Sequence, residues 1–113
     1  MTKFLISFPA SAMNVAAADM PAVSEASRTV IRESKAAGIY VFGGGMNAVA
    51  APVMVAADGS YEAGTYRETR ELDGGFCVLE LPSRELAIEW AAKLAAACRC
   101  AQELREFHYD AES

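Results

Sequence analysis

At 113 residues the chain has the length of one domain, enough to bury roughly two-thirds of its unfolded surface without disulfide staples. Its 10 basic and 15 acidic residues give a net charge of −5 with no basic stripe, which excludes a nucleic-acid-binding surface. The three cysteines are an odd number, Cys98 and Cys100 are too close to bridge, and no apolar run approaches a membrane span, so the expected setting is a reducing cytoplasm.

Met1 to Phe8, followed by Ala10-Ser11-Ala12, imitates a secretory leader, but its apolar centre of about five residues is shorter than the roughly 7–15 a leader needs. Phe4, Ile6 and Phe8 instead alternate with Lys3, Leu5 and Ser7, which predicts a first strand ended by Pro9. Residues 9–18 have no period and read as a loop. Asp19 offers an N-cap before Met20-Pro21, and Val23, Ala26, Val30, Ile31 and Ala37 form an apolar stripe with Gly38 as the stop. That predicts a helix of about 17 residues.

Ile39-Tyr40-Val41-Phe42 reads as a second strand, bent or frayed by Gly43-Gly44-Gly45. The three glycines lack the lysine and following helix of a phosphate loop. Val53–Ala57 and Ser60–Ala63 flank Asp58-Gly59, the signature of a two-residue type I′ hairpin. Phe76–Leu81 is a further strand closed by Pro82. Ser83 then caps a helix that sets Ala87, Trp90, Ala91, Leu94 and Cys98 on one face, with no glycine to end it. Gln102–Tyr109 predicts a last strand.

The order is strand, helix, strand, inserted hairpin, strand, helix, strand, an α+β class with the split βαβ pattern of ferredoxin-like folds. Two helices cover one face of such a sheet. Phe76 and Val78 oppose Cys77, Leu79 and Leu81, so apolar groups occur on both faces, and a homodimer packing sheet on sheet is expected.

Between the hairpin and the fourth strand lies Gly64-Thr65-Tyr66-Arg67-Glu68-Thr69-Arg70-Glu71-Leu72-Asp73-Gly74-Gly75-Phe76, and the next helix contains Ala87-Ile88-Glu89-Trp90-Ala91. This stretch resembles the YCII-related proteins of the DGPF type. Their box reads Asp-Gly-Pro-Phe/Tyr, then x-Glu-x-Lys-Glu, then Gly-Gly-Phe/Tyr, before a helix with Ala-x-Glu-Trp-Ala. Gly64, Tyr66, Glu68, Glu71 and Gly74-Gly75-Phe76 match; Ala63, Thr65 and Arg70 stand where the family has Asp, Pro and Lys. The match covers residues 53–97, and the remainder agrees by element order.

The resemblance implies one domain over 1–113, a ferredoxin-like dimeric α+β barrel, and a cleft between sheet and helices. In related YCII proteins a His/Asp pair with its histidine in the first helical region has been proposed as the catalytic centre. The one histidine here, His108, lies near the C-terminus.

The resemblance, together with the charged segment, implies two functions. In the first, Tyr66, Arg67, Glu68, Arg70 and Glu71 bind a small ligand, or the dimer meets a regulatory protein, without catalysis. In the second, a lyase-like or dehydrochlorinase-like enzyme uses Glu68 or Glu71 as acid/base and Arg67 or Arg70 as an anion clamp. The bland alternative is a self-paired, solvated charge run, with Tyr66 burying its ring to anchor the loop. Cys98-Arg99-Cys100 lacks the second ligand pair of a structural zinc site, so no metal or cofactor is expected.

Overall fold

A computed structural model describes all 113 residues. Strands β1 (Thr2–Phe8), β2 (Tyr40–Gly45), β5 (Gly75–Leu81) and β6 (Glu103–Glu106) form an antiparallel sheet in the order β2-β5-β1-β6. Helix α1 (Met20–Ala36) connects β1 to β2, and α2 (Arg84–Cys98) connects β5 to β6. A separate two-stranded sheet, β3 (Val53–Val55) with β4 (Tyr61–Ala63), is the inserted hairpin. The molecule is a small α+β fold.

Alternation in β1 and β5 sorts the sheet into two faces. Phe4 opposite Leu79 and Ile6 opposite Cys77 point to the helices. There they form the core with Leu81, Val30, Ile39, Ala87, Ala91 and Leu94. Removing these side chains from water is the main force holding the helices down. The other face carries Lys3, Leu5 and Ser7 opposite Glu80, Val78 and Phe76. Phe42 joins them, edge-to-face with Phe76 at 5.4 Å and 56% exposed.

Both helix stops follow local chemistry. Gly38 takes φ +75°; its N–H donates to Lys35 O (3.0 Å) and the Ile39 N–H to Ser34 O (3.1 Å), a Schellman termination. Ser83 caps α2 as expected, its Oγ accepting from Leu86 N–H at 3.2 Å. At the other end Arg99 itself turns left-handed, φ 57° and ψ 34°, and the missing glycine is replaced by a strained arginine.

Several sequence expectations are corrected. Asp19 holds the N-cap position of α1 but makes no side-chain cap hydrogen bond: a 3-10 turn, Ala17–Asp19, feeds straight into the helix, and the Asp19 carboxylate instead faces Arg99 Nη1 at 3.4 Å. The inward face of α1 holds Val23, Val30 and Ile31 as expected, joined by Ser27 and Ser34, while Ala26 and Ala37 are exposed. The serines fit because Ser27 Oγ donates to Ser24 O and Ser34 Oγ to Ile31 O, satisfying the hydroxyls within the helix.

Gly43–Gly45 do not fray β2; they pair with Cys77, Phe76 and Gly75, and the irregularity falls between Tyr40 and Phe42. A Cβ on Gly43 would lie 2.8 Å from Cys77 Cβ and from Phe76 O, so the glycine lets two strands close up. The hairpin loop is Ala57-Asp58-Gly59, not a two-residue turn. Asp58 accepts from the N–H and Oγ of Ser60 at 2.9 and 2.6 Å, and only Gly59 is left-handed, φ +88°. This is the three-residue loop, in which Asp58 need not leave the right-handed region. Strand β6 stops at Glu106, short of Tyr109.

Candidate functional site

The segment from Gly64 to Gly74 crosses from the hairpin to the end of β1. Gly64, at φ +138°, turns the chain out of β4, and its N–H donates to Pro52 O at 3.0 Å. A 3-10 turn, Arg67–Thr69, follows, with Thr69 N–H on Tyr66 O and Leu72 N–H on Thr69 O. The far end is tied down twice. Asp73 Oδ1 accepts the Ala10 N–H at 2.9 Å, and Gly74 O accepts the Met46 N–H at 2.8 Å.

So held, the segment walls a cleft of about 220 Å³ on the open face of the sheet, beside β1 and β6. Glu68, Thr69, Glu71 and Leu72 form one side; Leu5, Ser7, Phe8 and Pro9 form the floor; Glu103 and Arg105 form the other side. The cleft therefore lies on the face away from the helices. The space between sheet and helices, where the resemblance implied it, is filled by the core.

Of the five sequence-predicted site residues, Glu68 and Glu71 reach this cleft, while Tyr66, Arg67 and Arg70 do not line it. All five are exposed. The Tyr66 ring keeps 65% of its surface, so it does not anchor the loop by burial. Nor are the four charges self-paired: the ion pairs of this chain are Arg32–Glu25, Arg84–Glu106, Lys93–Glu33, Arg99–Asp19 and Arg105–Glu103. Backbone hydrogen bonds and the Asp73 side chain, not salt bridges, shape the segment. Glu68 and Glu71 line the cleft without an ion-pair partner in the chain.

Ser7, Glu103 and Arg105 are the lining residues that the sequence did not single out. Their meeting depends on register: Ser7 pairs with Glu103, and Leu5 with Arg105. Alternation in β1 already placed Ser7 on the face opposite Phe4 and Ile6. Nothing local said that residues 68–72 would roof it.

His108 lies beyond β6, exposed, beside a larger hollow of about 370 Å³ that also touches Lys3, Val78, Glu80 and Tyr109. The cysteines are elsewhere. Cys77 and Cys98 are buried, Cys98 on the inner side of α2. Burial pushes the Cys77 thiol up to about 11, with the neighbouring Cys98 adding to it. Burial likewise raises Cys98 and Cys100, the latter opposed by its hydrogen bond from Gln102. Raised thiols are poor nucleophiles near neutral pH. No group of three or more His, Cys, Asp or Glu side chains converges to hold a metal ion, and no helix is long and apolar enough to cross a membrane. No protein-family model matches this chain, and neither does any curated protein.

Proposed function

We propose that the chain is a ligand-binding homodimer of ferredoxin-like, split-βαβ architecture, related to the DGPF type of YCII-related proteins, working in the cytoplasm without catalysis of its own. The observation that carries the binding role is the cleft in which Glu68 and Glu71 face Ser7 across the open side of the sheet. A loop tied down at Asp73 and Gly74, bringing two carboxylates without ion-pair partners beside Leu5 and Ser7, is a preformed pocket wall. Gly64, Tyr66, Glu68, Glu71 and Gly74-Gly75-Phe76 support the family reading. The α-crossovers agree with it too: β5 lies between β1 and β2, and β1 between β5 and β6.

The dimer is supported by surface area. The chain exposes 7881 Å², about 1,900 Å² more than the roughly 6,000 Å² expected of a folded monomer of its mass. Its radius of gyration, 15.6 Å, likewise exceeds the roughly 13 Å of a closed domain of this length. The excess is well above the ~800 Å² that each partner gives up in a standard interface. A second copy laid on the open face would cover Phe42, Phe76 and Val78. A dimeric barrel is the form this takes in the proposed family.

The acid/base alternative is less well supported, because Arg67 and Arg70 do not line the cleft that holds Glu68 and Glu71, and the one guanidinium that does, Arg105, is paired with Glu103. A regulatory protein is a further candidate occupant of the same exposed surface. Sedimentation equilibrium at micromolar concentration tests the dimer: wild type should sediment as a dimer and Val78→Asp as a folded monomer. A thermal-shift screen of metabolites against wild type and Glu68→Ala/Glu71→Ala tests the site. A ligand that stabilises both equally would place binding elsewhere.

A further inference from the structure

We infer that the ligand of this cleft is a small organic cation, a protonated amine on a short apolar body. The inference rests on the ligand-binding role proposed above and names its chemistry. Three carboxylates, Glu68, Glu71 and Glu103, line the cleft against one guanidinium, Arg105. That guanidinium is already paired within the chain, with Arg105 Nε donating to Glu103 Oε1 at 2.6 Å. Glu68 and Glu71 have no cationic partner within the chain, so the negative charge of the cleft is uncompensated. An anion would meet repulsion there; an ammonium would meet two acceptors.

Ser7 gives the second, independent sign. It is a polar residue in mid-strand that keeps only 8% of its surface, and its hydroxyl makes no hydrogen bond within the chain. No fully enclosed side-chain oxygen or nitrogen lacks a partner, so the Ser7 Oγ must open to the cleft that its residue lines. A nearly buried hydroxyl that shares a cleft with carboxylates and has no partner within the chain is free to accept from a donor there. An ammonium has three donors and no acceptor, matching Ser7, Glu68 and Glu71 in number and polarity. Leu5 and Leu72 then receive the apolar end.

The test is an amide-resolved NMR titration of the full-length protein with 2-phenylethylamine. Its uncharged and anionic counterparts, 2-phenylethanol and 3-phenylpropionate, are run alongside. The amine should shift Ser7, Leu72 and Glu103 with saturation, and the counterparts should not. Glu68→Gln/Glu71→Gln should weaken the amine by about tenfold or more and Ser7→Ala by a smaller factor, each with an otherwise unchanged spectrum. Tighter binding of the carboxylate at these residues would overturn the cation while leaving the ligand-binding role standing. Shifts spread evenly over the surface and erased by salt would show only attraction to a chain of net charge −5, and would overturn it too. So would amine insensitivity together with a dimer that Glu68→Gln/Glu71→Gln dissociates, because an arginine of a second copy would then be the cation. If neither the amines nor any screened metabolite touched the cleft, the broader role would fall as well.

Discussion

Asp73 Oδ1 accepts the backbone N–H of Ala10 at 2.9 Å across 63 residues of sequence, and this bond fastens the cleft wall to the end of β1. The adjacent Gly74 completes the fastening. A Cβ at Gly74 would collide with Phe8 O and lie 2.8 Å from Ala10 N, backbone atoms that cannot swing aside. Gly74→Ala is therefore expected to cost about 3 kcal/mol or more, as overpacking against backbone does. Asp73→Ala should cost about 1 kcal/mol for an exposed hydrogen bond, and Asp73→Asn, which keeps an acceptor, less. Urea denaturation measures all three; a Gly74→Ala protein as stable as wild type would show that the loop is not clamped here.

How much of this was legible depends on the range over which each signal acts. The alternation of Phe4 and Ile6 with Lys3 and Leu5, the Gly38 stop and the Ser83 cap are local, and each stands in the structure where its chemistry put it. Asp19 and Asp58 misled because a carboxylate next to a turn has several partners. One turned to Arg99, 80 residues away, and the other to Ser60, two residues on. Ser27 and Ser34 hid part of the inner face of α1 by being polar. The cleft was half legible: Glu68 and Glu71 stood out as charges, whereas Ser7 and Arg105 join them through strand register and loop docking, which no local pattern encodes.

Arg99 ends α2 in the left-handed region, where an L side chain is strained and glycine is not. Arg99→Gly should stabilise the protein by about 0.5–1 kcal/mol. The Arg99–Asp19 pair lost in the exchange is 3.4 Å long with both side chains about half exposed, and such pairs contribute little. Arg99→Ala loses the same pair without relieving the backbone and should not gain. Urea midpoints separate the two, and a gain of equal size in both variants would trace the effect to the ion pair instead.

The raised Cys77 thiol carries a pH dependence. Its folded value, about 11, lies above the 9.0 of an unperturbed thiol, so the native state holds the proton that the unfolded chain releases. The resulting stability is fully present below pH 9 and is lost as pH rises through the folded value. Over that interval the effect amounts to about 2–3 kcal/mol. Cys77→Ala should flatten the alkaline decline relative to wild type. In alkylation at pH 8, Cys100 should react first, with Cys77 and Cys98 protected until the chain unfolds; early labelling of Cys77 would contradict its burial.

The hairpin is expected to unfold on its own. Its strands pair only with each other, and Val53, Val55 and Tyr61 keep half or more of their surface. A two-stranded ribbon of this kind is marginal in water. Gly59 has open space around its missing side chain, so Gly59→Ala brings no clash and acts through φ +88° alone, a cost of about 1 kcal/mol. That cost should fall on the hairpin and not on the four-stranded sheet, since separate cooperative units open separately. Hydrogen exchange should speed up at the Ala56 and Gly64 amides, which donate to Ser60 O and Pro52 O. The amides of β1 and β5 and the urea midpoint should stay as in wild type. A midpoint lowered by the full cost would mean that the hairpin folds as one unit with the main sheet, joined through the cleft wall that ends at Asp73.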